Sequence, residues 1–385
     1  MKANAIVVHS GGPTAVLNAS LLGVVEEARA GGRVGALYGA RFGMRGILES
    51  DFIDLFAQTR ERIEAVAEAP ASALGTSRLP VGPAELERAL AVLRARDVRG
   101  VFYTGGNGSM RTAAQLAAAA HASGYELQVI GIPKTIDNDL PETDHTPGYA
   151  TAARFFAHAA RDIGADNRSL PGQVEILEVL GRNTGWIVAA TALARHAPDD
   201  APHLIYLPER PLPLDQLLAD VDRVFRRLGR CMVAVCEGQL DDRGEAFGAD
   251  VFSASGRPLA ANLGHQLAGL ITSRMGLRAR SEKPGLLGRS GSTLRPRLDW
   301  DEARMCGRAA VRAVCGGASG QMITLIREAG PHYSCTAGLA PFERVVGERP
   351  FPEKWRNETG NDVRPEFLDY VGPLTGPVAA HAGLD

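Results

Sequence analysis

The sequence predicts an α/β protein built from two doubly wound, mainly parallel-sheet domains that face each other across a cleft. Three observations predict it. Short apolar runs alternate with helical stretches, glycine turns sit where each run gives way to a helix, and the pattern starts afresh near Gly148.

In chain order, Ile6-Val7-Val8-His9, the turn Ser10-Gly11-Gly12-Pro13-Thr14 and the run from Val16 to Ala30 read as strand, glycine loop and helix. The unit recurs at Gly100 to Thr104, followed by Gly105-Gly106-Asn107-Gly108-Ser109 and an alanine-rich helix through Ala122. Leu127-Gln128-Val129-Ile130 forms the next strand, which Pro133 stops. The second series has a helix from Gly148 to about Ile163, a strand Val174 to Val179, the turn Gly181-Arg182-Asn183-Thr184-Gly185, and strands at Leu204 to Leu207 and Met232 to Val235. This places the first domain at 1–140, completed by 288–305, and the second at 141–287, completed by 306–330. Residues 340–385, richer in Pro and charge, read as a loosely structured C-terminal extension.

A chain of 385 residues, 45% hydrophobic and 22% charged, can bury two sizeable cores. Its net charge of −2 provides no footprint for nucleic acid, and no Lys/Arg block is present to grip a phosphodiester backbone. No apolar run approaches the ~20 residues of a membrane-spanning helix, and Ile6-Val7-Val8 is too short for a signal-peptide core, so a cytoplasmic protein is expected. The five cysteines are scattered, without a Cys-x-x-Cys pair, and read as reduced thiols.

The chemistry concentrates in Gly131-Ile132-Pro133-Lys134-Thr135-Ile136-Asp137-Asn138-Asp139, which follows a strand directly and so lies where α/β sheets place ligands. The loops at 10–12 and 105–109 would converge on the same sheet edge. Neither is a Walker A loop or a G-x-G-x-x-G turn, and each alone marks a tight turn as readily as an anion cradle. An extended backbone over 137–139 would point both carboxylates to one face, one as base and the other toward a metal; the plain alternative is two acids capping a turn.

Gly11-Gly12, Gly105 to Ser109, Pro133 to Asp139, Glu178 to Arg182 with Gly185-Trp186, and Glu237-Gly238 occur in the order found in 6-phosphofructokinases, which the chain resembles over roughly residues 5–330. The resemblance implies phosphoryl transfer to the 1-hydroxyl of fructose 6-phosphate, a glycolytic reaction, with Mg²⁺ and a homodimer or homotetramer. It implies Asp137 as general base, with Thr135 and Lys134 on the transferred phosphoryl group. Gly12, Arg78, Gly106, Asn107, Gly108 and Ser109 match the donor site, and Asp139, with Asn107, matches the metal-associated position. Leu180, Gly181, Arg182, Glu237 and Arg289 match the sugar-phosphate pocket, where a guanidinium clamps phosphate and a carboxylate accepts hydroxyls.

Three positions depart from the family pattern. Asn107 replaces a common aspartate, Gln173 an arginine that comes from a neighbouring subunit, and Leu286 a histidine three residues before Arg289; Arg280, or another cation such as Arg154, could restore some of this charge. The donor is argued both ways. Lys134 occurs in the branch with many pyrophosphate-dependent members, whereas Gly108 stands where those members usually carry an aspartate that repels the α-phosphate of ATP. Weighting exclusion more heavily selects ATP. Pyrophosphate, another ketose phosphate as acceptor, and a non-catalytic sugar-phosphate or nucleotide sensor are the alternatives.

Overall fold

The computed structural model describes residues 2–245, 247 and 262–382; those parts of the expected 1–140, 141–287 and 340–385 segments that fall at 1, 246, 248–261 and 383–385 lie outside the described residues. The chain forms two compact units, Met1–Tyr149 with Arg297–Arg349, and Ala150–Pro296 with Pro350–Asp385.

Unit 1 begins with β1 (Asn4–His9), α1 (Leu17–Gly31), β2 (Leu37–Ala40), α2 (Met44–Glu49), β3 (Phe52–Asp54), α3 (Arg60–Glu68), α4 (Pro83–Ala95), β4 (Val98–Gly105), α5 (Asn107–Ala122) and β5 (Gln128–Pro133). The chain then enters unit 2 through α6 (Tyr149–Ser169), β6 (Gln173–Val179), α7 (Trp186–Ala190), β7 (Leu204–Tyr206), α8 (Leu214–Leu228), β8 (Cys231–Cys236), α9 (Leu263–Met275), β9 (Arg278–Glu282) and α10 (Leu287–Ser290). It returns to unit 1 for α11 (Arg297–Cys315), β10 (Gln321–Arg327), β11 (Cys335–Pro341) and α12 (Phe342–Val345), and closes unit 2 with α13 (Glu366–Thr375).

The seven-stranded sheet of unit 1 runs β11-β10-β5-β4-β1-β2-β3. Its inner strands pair in parallel, and the antiparallel β3 and β11 form the edges. Parallel strands are covered on both faces, which is why these segments read as unbroken apolar runs. Ala5 and Val7 join one core with Phe102, Ile130 and Ile132, while the alternating Ile6 and Val8 join the other with Val101, Tyr103 and Val129. The four-stranded sheet of unit 2 runs β7-β8-β6-β9, all parallel.

Three expectations about the later chain are corrected. Of 288–305, expected to complete the first domain, 288–296 with α10 belong to unit 2 and only 297–305 return to unit 1. Residues 306–330 belong to unit 1, because β10 pairs in parallel with β5 at Gln321↔Ile130 and Met322↔Gly131. Helix α11 also packs backbone-close on α1: a Cβ at Gly307 would stand 2.1 Å from the Ser20 carbonyl oxygen, and one at Gly23 would stand 2.0 Å from that of Arg304. The segment after Ala340 is built structure. Phe351, Trp355, Phe367 and Tyr370 cluster with Trp186, ring centroids 4.9–6.1 Å apart, and Phe351 and Phe367 are fully buried. Among the described residues, no helix is long and apolar enough to cross a membrane.

Candidate active site

In unit 1 the carboxyl ends of β1, β4 and β5 lie side by side, with His9 opposite Thr104 and Gly105 opposite Pro133. The connections from β1 and β4 leave toward opposite sides of the sheet, so the crevice between loops 10–12 and 106–109 is the topological switch point at which such sheets bind ligands. Gly105 is required there, since a Cβ would stand 2.0 Å from Ser109 Oγ as α5 folds over the strand end. Gly106 caps α5, whose 16 residues start at Asn107, so the N–H groups of its first turn and the positive end of its dipole face the crevice. At Gly108 a Cβ would meet nothing within 4 Å.

Lys134 forms the floor of the first loop. It is 2% exposed, and its Nζ donates to the carbonyls of Ser10 (3.1 Å) and Gly12 (2.6 Å). This sets an ammonium directly beneath the glycines. Beside it, His9 is fully buried with Nδ1 2.8 Å from Ser72 Oγ; burial, and then the Lys134 charge, push it down to about 3, so it stays neutral. Segment 76–78 reaches the same loop through a bridge from Ser77 to Ser10, which leaves Arg78 exposed beside it.

The segment after β5 is not extended as expected. Asn138 is buried with φ +55°, a left-handed turn, and its Oδ1 accepts from the Thr146 N–H (3.0 Å). Thr146 Oγ1 in turn donates to the Thr135 carbonyl (2.8 Å), and the Asp137 N–H donates to Thr135 Oγ1 (3.1 Å). The two carboxylates are nevertheless close enough to feel each other. Burial, and then the charge of Asp137, raise Asp139 to about 6, against the lowering effect of the 2.6 Å bond from Asn107 Nδ2 to Asp139 Oδ2.

Asp139 Oδ1 is buried without a hydrogen-bond partner, an acceptor that a hard cation would satisfy. Asn107 serves that carboxylate by holding its other oxygen. Among the described residues, no group of three or more His, Cys, Asp and Glu side chains could hold a metal, so a cation here would take most of its ligands from phosphates and water.

Deeper in the loop, His145 is fully buried between Asp144 (Nδ1 to Oδ2, 2.8 Å) and Glu302 (Nε2 to Oε2, 2.6 Å), with Arg327 on Asp144 and the Tyr333 hydroxyl on Glu302. Burial alone would lower His145, but the hydrogen bonds and charges of Asp144 and Glu302 outweigh it and raise it to about 9.

In unit 2, β6 and β8 end together at Val179↔Cys236, and the Glu237 N–H donates to the Val179 carbonyl (2.8 Å). Leu180, Gly181, Arg182 and Glu237 therefore share one sheet edge. Gly181 (φ +146°) and Arg182 (φ +53°) turn their N–H groups onto the Glu237 carboxylate; burial raises that carboxyl, and these two bonds partly offset the rise. Gly238 is obligatory, because a Cβ would stand 1.6 Å from the Arg182 carbonyl oxygen.

A family model for phosphofructokinase matches residues 4–314. The chain belongs to the phosphofructokinase family. It is 39% identical to a pyrophosphate–fructose 6-phosphate 1-phosphotransferase from Rhodospirillum rubrum, over 97% of this chain and 95% of that protein. It is 34% identical to an ATP-dependent 6-phosphofructokinase from Amycolatopsis methanolica, over 67% of this chain and 55% of that one. Among solved structures, a pyrophosphate-dependent phosphofructokinase from Nitrosospira multiformis superposes with a TM-score of 0.90 at 32% identity, covering 100% of this chain and 95% of that one.

This phosphofructokinase is thus a phosphotransferase with an alcohol acceptor. Unit 1 brings together Gly12, Gly106, Asn107, Gly108, Ser109, Lys134, Thr135, Asp137 and Asp139, with Arg78 at the margin. Unit 2 brings together Leu180, Gly181, Arg182 and Glu237, and carries Arg289 on α10. Arg280 is not brought to that edge: it is exposed on β9 in register with Glu175, well before Val179, and its charge acts on Glu175. Sequence reasoning missed the hold of Asn107 on Asp139, and no local signal joins residues so far apart in the chain.

Proposed function

We propose that the chain is a pyrophosphate-dependent fructose-6-phosphate 1-phosphotransferase that transfers a phosphoryl group from pyrophosphate to the 1-hydroxyl of fructose 6-phosphate. The observation that carries this reading is coverage: the match to the pyrophosphate enzyme spans nearly all of both chains, whereas the match to the ATP enzyme spans two thirds of this chain and about half of the other. The choice of ATP made from Gly108 is given up. The space in front of Gly108 is open, so packing does not demand glycine there; the missing carboxylate remains a local argument for a nucleotide, which the near-full match to the pyrophosphate enzyme outweighs. The buried Lys134 ammonium beneath the glycine loop supports a compact, highly charged donor.

In this proposal Asp137 accepts the proton of the 1-hydroxyl as its oxygen attacks the terminal phosphorus. The bond from that phosphorus to the bridging oxygen breaks, giving fructose 1,6-bisphosphate and phosphate. Thr135, Lys134 and the N-terminus of α5 stabilise charge on the phosphoryl oxygens. Asp139, held by Asn107, would contact Mg²⁺, which when bound neutralises phosphate charge. In unit 2, Glu237 accepts sugar hydroxyls, and Arg182 and Arg289 face the sugar phosphate. The test is turnover of purified protein with Mg²⁺ and fructose 6-phosphate, supplied with pyrophosphate or ATP in parallel. Pyrophosphate should give a kcat/KM at least ~10²-fold higher, and the reverse preference would overturn the donor assignment.

A further inference from the structure

Arg349 is the last residue of unit 1 before the chain crosses into unit 2, and it lies beyond every motif discussed above. Its guanidinium grips the segment that carries both aspartates. Nη2 and Nε donate to the Asn138 carbonyl (2.9 and 3.3 Å), and Nη1 donates to the carbonyls of Thr143 (2.5 Å) and Asp144 (2.9 Å). Its backbone N–H donates to the Asp139 carbonyl (2.7 Å), and two residues earlier the Gly347 N–H reaches Asn107 Oδ1 (3.4 Å).

Both arms of the loop between Asn138 and Asp144 therefore close on one planar cation. Asn138 is the left-handed residue between Asp137 and Asp139, and its backbone geometry fixes the angle between their side chains. Buried carbonyls in such a turn need donors, and a guanidinium supplies several in a fixed fork, which an ammonium on a flexible stem does not.

We propose that Arg349 is a positioning residue for phosphoryl transfer, holding the 137–139 turn so that Asp137 and Asp139 keep their mutual geometry. It touches neither substrate directly. The proposal rests on the chemistry assigned above to Asp137 and Asp139, and it gives a function to a C-terminal segment whose sequence shows none.

The test uses Arg349→Lys and Arg349→Ala in the full chain, with Asp137→Ala in parallel, measuring kcat and KM for pyrophosphate and fructose 6-phosphate alongside the thermal midpoint. Arg349→Lys keeps the charge and the aliphatic stem but cannot span three carbonyls. It should lose about 30-fold or more in kcat with both KM values within about threefold, because misaligned reacting groups slow the chemical step more than they weaken binding. Guanidinium at millimolar concentration should restore part of the activity of Arg349→Ala. If Arg349→Ala does not fold, Arg349→Lys decides alone. A folded Arg349→Lys with kcat within threefold of the parent overturns the proposal, and so does a loss confined to KM. An active Asp137→Ala would instead sink the catalytic assignment, which separates the two failures.

Discussion

Each unit holds a half-buried carboxylate at the carboxyl end of its sheet, but by different means. In unit 1, Asp139 is fixed by the Asn107 amide and crowded by the charge of Asp137. In unit 2, Glu237 stands on the backbone N–H groups of Gly181 and Arg182. Both carboxyls are raised by burial, but in unit 1 the next influence is the charge of Asp137, whereas in unit 2 it is the restraint of the Arg182 and Gly181 N–H groups, with the charges of Glu178 and Lys283 behind them. A carboxylate governed by a second acid suits proton and cation handling, whereas one governed by a backbone N–H cradle suits recognition of hydroxyl groups. The contrast teaches that a raised carboxyl does not by itself define a role; the partner that raises or restrains it does.

Substitution should separate the two roles. The largest effect is expected at Asp137: Asp137→Ala should lower kcat by about 10² or more, the range for loss of a general base, with the KM for fructose 6-phosphate little changed in steady-state assays. At the other carboxylate, Glu237→Gln keeps an acceptor for the Gly181 and Arg182 N–H groups but removes the charge. It should raise the KM for fructose 6-phosphate about tenfold, in line with the ~1.5–3 kcal/mol of a charged hydrogen bond, and leave kcat within about threefold. Equal effects on kcat at both sites would break the comparison.

A third substitution concerns stability. His145 is raised above its unfolded value of 6.5 to about 9, so its contribution is fully present below about pH 6.5 and is lost as pH rises through about 9. The groups facing it are Asp144, Glu302 and Tyr333, with Arg327 on Asp144. The shift corresponds to on the order of 3 kcal/mol. Urea midpoints of the parent should therefore fall between pH 6.5 and 9.5, and His145→Gln should flatten that difference; an unchanged slope would show that the buried histidine is not the group responsible.

Much of unit 1 was legible because its chemistry is dense in sequence. Lys134, Thr135, Asp137 and Asp139 fall within six residues after a strand, and each glycine loop directly follows another. What escaped was carried by contacts distant in the chain or made through the backbone. Asn107 reads as a metal-side position until its amide is seen on Asp139. The grip of Arg349 runs through carbonyl oxygens that any sequence would supply. Asn138 looked like a spacer in an extended run, whereas its short amide side chain tolerates the left-handed turn that the loop requires.

Segment 306–330 was assigned to the wrong domain because nothing local reveals that β10 completes the first sheet. Strand β9, Arg278-Ala279-Arg280-Ser281-Glu282, has no apolar alternation because it is an exposed edge. Phe367 and Tyr370 share helical spacing on α13, but nothing local joins them to Phe351, Trp355 or Trp186, so their common cluster appears only in three dimensions.

The donor is the claim on which the functional account turns, and Gly108 and Lys134 pull it in opposite directions. A single competition settles it: ³¹P NMR of the purified protein with Mg²⁺, fructose 6-phosphate, and pyrophosphate and ATP at equal concentration. The account predicts that the pyrophosphate resonance disappears into phosphate and fructose 1,6-bisphosphate while the γ-phosphate signal of ATP persists. Consumption of the γ-phosphate with pyrophosphate left intact would contradict it.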